Sequence, residues 1–273
     1  MTPDLRIQQA IVLGARGVRV VAQTDEFDTA EAERIAVLFG TRPTGVVCPR
    51  ADFACPFGKG HVAVVRVEDR PDDALGFRFL VLSRELYKHL GDPFAIAERY
   101  PPDWNAVGKL ADLAWPMEIL PERTLEQLDA ILKVGDSSLL LGSTQALVDG
   151  NRVLLKRDEP AQFIRDLWQL LPDRTRCDLW PATFAFSDEL GFHAAVGPTL
   201  PTPRHGVQVL VEDAIRDYPQ SSYELGLQVA IESGDRTALR KLLARRTSDD
   251  TIRLALYILA FALLAAVLLK FVF

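Results

Sequence analysis

The chain has little with which to do thiol, metal or redox chemistry: three cysteines and four histidines in 273 residues. So few cysteines, and an odd number of them, give no disulfide framework and fit a reducing compartment. Basic residues are also scarce, with 31 Lys and Arg against 37 Asp and Glu and a net charge of -6. Arg253 and Lys270 are the only charges after Asp250, which leaves the first 250 residues with a still larger acidic excess. A body of that sign lacks what a phosphate backbone demands, so no nucleic-acid partner is expected. Low-complexity and collagen-like tracts are missing too. With 48% apolar and 25% charged residues, the composition is that of a folded protein with a real core. The start, MTPDLRIQQA, has neither a basic n-region nor an apolar h-region, and no signal peptide is expected there.

A nucleotide loop is absent as well. Gly58-Lys59-Gly60 has Phe53 where a P-loop needs its first glycine and Gly60 where it needs a hydroxyl. The loop Gly14 to Gly17 is followed by a strand-like run rather than by a helix, so its amides have no helix dipole behind them and it reads as a hairpin turn. Cys48, Cys55 and His61 lie close in sequence, but six residues separate the two cysteines, whereas structural zinc pairs are tight. No metal and no cofactor is expected. A nucleophilic pair of Cys55 with His61 or His89, oriented by Asp92, is the alternative; the simpler expectation is that the cysteines are buried and inert.

What is present is an α+β pattern. Runs 8–13 and 18–22 flank Gly14-Ala15-Arg16-Gly17 as a hairpin, and Asp28 caps a helix closed by Gly40, with Glu31 placed for a capping box. Strands are expected at 62–67 and 77–82, with helices near 83–90 and 93–99. Beyond Pro121, Thr124 caps a helix ended by Gly135, and SLLLG at 138–142 reads as a buried strand. Asp149-Gly150 sits between two apolar runs, which predicts a second hairpin. A helix over 161–171 stops at Pro172, and strands 183–187 and 192–196 flank a turn at Asp188 to Gly191. Pro198, Pro201 and Pro203 mark a boundary before helices 222–232 and 236–246. The second of these has Ala238, Leu239, Leu242 and Leu243 opposite Arg236, Arg240, Lys241 and Arg245, which suits either an anionic lipid surface or packing on 222–232.

The longest apolar run comes last. Leu254 to Leu269 holds sixteen residues without a charged or amide side chain, and about twenty helical residues reach across a bilayer. The expectation is a single C-terminal transmembrane helix in a lipid bilayer, with Arg253, Leu254, Tyr257, Phe261, Lys270 and Phe273 as its anchor residues. The basic flank from Arg236 to Arg253 places the body on the cytoplasmic side, a tail-anchored topology. The expected organisation is thus an α+β domain over 1–118, a second over 119–200, a Pro-rich linker and helical stalk over 201–250, and a span over 251–273.

The segments GFRFLVLSRELYKHLGDPFAIAERYPPDW (76–104), LLLGSTQALVDGNRVLLKRDEPAQFIRDLWQLLP (139–172) and WPATFAFSDELGFHAAVGP (180–198) resemble the N-terminal and middle domains of bacterial GTPase-associated proteins, components of NTP-dependent conflict systems. The resemblance covers roughly residues 5–200. It implies an N-terminal domain of degenerate transglutaminase or papain-like fold without activity, a separate GTPase chain as protein partner, and a bacterial inner-membrane location for the expected span. Longer members carry further C-terminal domains where this chain has its stalk and apolar end. The reading is a non-enzymatic adaptor or regulator; the alternatives are a tethered Cys/His hydrolase or transferase and a small-molecule sensor with a pocket between the two α+β segments.

Overall fold

The chain begins with a sheet. In a computed structural model that describes residues 4–14, 17–43, 46–71, 74–156, 162–198, 208–245 and 257, β1 (Arg6–Gly14) and β2 (Val18–Gln23) pair antiparallel, as their apolar runs predict. α1 (Thr29–Leu38) follows, and the Asp28 carboxylate accepts from the Glu31 amide at 3.0 Å. The Glu31 side chain does not close a capping box. It pairs instead with Arg34 at 2.7 Å, because a guanidinium one turn on is a stronger partner than a backbone amide.

β3 (Ala51–Phe57), β4 (His61–Arg70) and β5 (Ala74–Ser83) run antiparallel, and β5 pairs with β1. β3 carries no clean apolar pattern, since Asp52, Cys55 and Pro56 interrupt it, and sequence reasoning misses it. α2 (Arg84–Leu90) and α3 (Pro93–Arg99) come next, capped by Ser83 and Asp92, and then the two-residue strands β6 (Gly108–Lys109) and β7 (Leu113–Ala114). The pleat sorts the side chains. Phe53, Cys55, Val65, Phe77 and Phe79 pack toward Ile35 of α1 and Phe39 just after it, whereas Ala54, Val62, Val64, Leu80 and Leu82 pack toward Leu86, Tyr87 and Ile96 of α2 and α3.

The second half departs from its expected course. α4 (Leu125–Val134) has its capping box between Thr124 and Gln127, but SLLLG is no strand: it opens α5 (Ser137–Val148), capped by Asp136. Every residue from Leu139 to Leu147 is buried, so the helix shows no polar stripe, and a short apolar run has no period to tell helix from strand. Asp149-Gly150 is accordingly the end of that helix rather than a hairpin. Gly150 takes φ 87°, its amide donates to Leu147 and that of Asn151 to Ala146, the paired bonds of a Schellman cap. Gly142 lets α5 approach the backbone at Ile215, since a Cβ there would lie 2.4 Å from the Ile215 carbonyl oxygen.

β8 (Arg152–Lys156), α6 (Gln162–Leu170), α7 (Asp173–Asp178), β9 (Pro181–Ala182) and β10 (Ala194–Gly197) follow. The expected strands 183–187 and 192–196 do not form a hairpin. A turn does stand at Asp188 to Gly191, but β9 and β10 pair parallel, because the segment between them loops out and returns in the same direction. β11 (Val209–Leu210), α8 (Glu212–Arg216), α9 (Ser222–Ser233) and α10 (Arg236–Leu243) complete the described chain. The order is β11-β8-β10-β9-β3-β4-β5-β1-β2-β6, with β7 on β1, so one mixed sheet of eleven strands runs through both halves. β11, β8, β10 and β9 are parallel, and the turn to antiparallel comes where Phe53 of β3 pairs with Ala182 of β9.

Two further corrections concern the C-terminal part. α9 and α10 are not a free stalk: the Tyr223 hydroxyl donates to the Leu170 carbonyl at 2.7 Å, the Glu224 amide to Gln145, and Leu227, Leu239 and Leu243 are buried with the main core. The basic face of α10 pairs with α4 and the segment before it, Arg236 with Glu126 and Arg240 with Glu122. Among the described residues no helix is long and apolar enough to cross a membrane, which stands against the expected architecture with a transmembrane helix and the tail-anchored topology drawn from it. Of the anchor residues, only Tyr257 is described, and it is exposed; Arg253, Leu254, Phe261, Lys270 and Phe273, like Pro201, Pro203 and Arg246, lie outside the described residues.

At the joint of the two halves lies Asp52, 1% exposed, with Arg66 at 2.8 Å, Arg165 beside its other oxygen, and its backbone exchanging bonds with Thr183 at 2.8 and 2.9 Å. Asp52→Ala strands Arg66 without a counter-ion, and urea unfolding is expected to show a loss of about 3–5 kcal/mol.

Candidate functional site

The three cysteines are all free and buried. Cys55 stands on β3 with its side chain on the α1 face, between Phe53 and Phe57 in the same pleat row, and is 1% exposed. Burial pushes its thiol far up, and Glu31 adds to the effect. His61 opens β4 opposite Phe57, at the exposed end of the hairpin whose tip is Gly58-Lys59-Gly60. His89 lies on α2, whose buried side packs on the other face of the sheet. Among the described residues no hydrogen bond links Cys55 to either histidine. Asp92 is already engaged: one oxygen caps α3 through Phe94 and Ala95, and the other accepts from Gln169 at 3.0 Å.

The other two thiols are no better placed. Burial, with Asp69 nearby, pushes Cys48 up to about 12, and burial pushes Cys177 up to about 11. Cys177 donates to the carbonyls of Lys88 and Asp173 at 3.0 and 3.1 Å, which ties α7 to α2. Among the described residues no group of three His, Cys, Asp or Glu side chains is arranged to hold a metal ion.

A cavity of about 510 Å³ does stand near His89. Its walls come from four stretches far apart in sequence: 89–92, 119–126, 169–176 and 236–244. Leu90, Leu120, Leu125, Leu239 and Leu243 supply apolar surface, and Arg176 and the buried side chain of Arg123 the charge. Arg123 closes the end of α6, donating to the carbonyls of Gln169 and Leu171, both at 2.6 Å, and to Asp173 at 2.6 Å. A cation is favoured there because the last carbonyls of a helix lack amide partners. Burial and the neighbouring Arg176 pull Arg123 down to about 10. Arg176 donates to Asp173 at 2.8 Å and faces Asp92 at 3.9 Å, while its Nε is buried with no partner.

Sequence reasoning placed a pocket between the two α+β segments without naming its walls. Arg123 and Arg176 were not singled out, because a lone arginine in a loop or a short helix carries no pattern. No protein-family model matches the chain, and no curated protein matches it.

A thiol needs its thiolate to react. With iodoacetamide at about pH 8, the native chain is expected to alkylate at least about 100-fold more slowly than the urea-unfolded chain, with Cys55 the last to label. Rapid labelling of Cys55 in the native protein, read by peptide mass spectrometry, is the opposite result.

Proposed function

We propose that this chain is a non-enzymatic regulatory body, controlled by what occupies the cavity between its two halves. The observation that carries the reading is the origin of the cavity walls. Stretches from the first half, the second half and α10 meet around one space, so an occupant touching all of them would fix their relative positions. A mixed apolar and polar lining, with buried guanidinium groups among leucines, suits a small amphipathic molecule. Burial of Cys55 away from both histidines supports a body that binds rather than one that turns over substrate.

The test is a thermal-shift screen of a small-molecule library against the full-length chain, with Leu239→Trp run beside it to fill the cavity. At least one compound at a hundredfold excess over its Kd is expected to raise Tm by about 5 °C in the parent and not in the variant. A library that shifts neither, or both alike, sinks the proposal.

A second reading, an adaptor for a separate protein such as a GTPase chain, rests on the resemblance of 76–104, 139–172 and 180–198 and on one surface feature. Leu225 and Val229 stand one turn apart on α9 and are 42% and 62% exposed, next to each other on the side turned away from Leu227 and Ile231. Crosslinking pull-down with the full-length chain is expected to recover a defined protein partner, and Val229→Glu to reduce its recovery about tenfold. Equal recovery by both baits would remove this face from the account.

A further inference from the structure

A second, smaller cavity lies elsewhere, on the face of the sheet that also carries α2 and α3. It measures about 290 Å³ and is roofed by the segment from Arg99 to Leu113. Its floor is β1 and β5: Gln9, Ile11 and Arg78. Arg78 is 5% exposed, and its guanidinium donates to the Phe79 carbonyl at 2.8 Å and to the Gln9 side-chain oxygen. Both acceptors are neutral. No carboxylate among the described residues lies within ion-pair distance of it.

The neighbour of Arg78 makes the excess larger. Arg66 stands directly opposite on β4 in the same register, is equally buried, and leaves one terminal nitrogen with no partner. Its carboxylate, Asp52, is shared with Arg165 and lies 3.8 Å from Arg50, and Glu98 serves Arg165 and Arg50 in turn. Three arginines on this face, Arg66, Arg165 and Arg50, thus draw on two carboxylates, and Arg78 beside them draws on neither. The charges at the cavity rim are engaged: Arg99 pairs with Glu118 at 3.2 Å and lies over the Trp115 ring, and Asp103 accepts from the Asn105 amide. Taking a guanidinium out of water without a counter-ion is costly, and the cost is relieved when an anion enters with it. Burial already draws Arg78 down to about 10.

We infer that this cavity is a binding site for a small organic carboxylate, held by the guanidinium fork of Arg78. A planar fork matches a carboxylate with two parallel bonds. The remaining lining, Ile11, Leu110, Leu113, Pro101 and Ala106, calls for a short apolar tail, and the space equals that of roughly ten water molecules. Gln9 holds both parts together, since its oxygen accepts from Arg78 and its amide donates to the Ala111 carbonyl in the roof. The site is separate from the cavity at the seam, and its failure leaves the function proposed above standing.

The probe is hexanoate, with hexanol as its uncharged counterpart and chloride at matched ionic strength as control. By calorimetric titration of the full-length chain, hexanoate is expected to bind at least about ten times more tightly than hexanol. Arg78→Lys keeps the charge but loses the fork and is expected to weaken hexanoate about tenfold. Ala106→Leu fills the cavity from the loop, leaves Arg78 untouched and is expected to abolish binding, which keeps the test decisive if the Arg78 variant does not fold. Absence of hexanoate binding to the parent chain, equal binding of hexanol, or unchanged binding in Ala106→Leu would each overturn the assignment.

Discussion

One buried carboxylate holds the two halves of this fold in a single sheet. Asp52 lies where the antiparallel strands of the first half meet the parallel strands of the second, and each part of it reaches a different element. Its oxygens take Arg66 of β4 and Arg165 of α6, while its backbone exchanges hydrogen bonds with Thr183 just past β9. β9 and β3 share a single paired position in the ladder, Phe53 with Ala182, so backbone pairing alone is a thin seam. Charge-assisted bonds in a dry interior, each stronger than a neutral one, make up what the short ladder lacks. A change of strand direction within one sheet is thereby tolerated.

Arginine is the residue this protein buries. Arg66, Arg78, Arg152 and Arg176 are all under 8% exposed, and Arg123 holds α6 closed from a loop. Several use the fork to reach two acceptors at once: Arg152 donates to the Phe192 carbonyl at 2.7 Å and pairs with Asp188 of the same loop, and Arg78 of β5 donates to the Phe79 carbonyl and to Gln9 of β1. Lysine, a point charge on a mobile stem, would leave half of those acceptors unsatisfied. The two cavities follow from this economy of carboxylates. Each lies beside a buried guanidinium: Arg176 in the seam, whose Nε has no partner, and Arg78 under the 99–113 segment, whose two acceptors are both neutral.

How much of this could be read in the sequence depended on whether the signal was local. Caps were legible because a side chain and the amides it accepts from lie within three residues: Asp28 and Thr124 stand where the sequence predicts. The hairpin of β1 with β2 was legible for the same reason, whereas that of β3 with β4 was not, because β3 carries no clean apolar pattern. SLLLG was not, since a helix packed on all sides by α4, α6, α8, α9 and β8 carries no periodicity to mark it. Neither was the parallel pairing of β9 with β10, because the residues that select it, on β8 and β3, are distant in the chain. The walls of both cavities belong to that second class.

The sequence by itself determined the α+β class, the helix boundaries set by caps, the acidic balance and the lack of a nucleotide loop, because each rests on composition or on contacts a few residues long. Only the tertiary structure decided that the second half continues the first as one sheet, that α9 and α10 belong to the body, and that Cys55 stands across the sheet from the helix of His89. Those outcomes depend on which face of a strand is covered and by what. Burial and the pairing of distant charges settle that, and neither exists until the chain has folded.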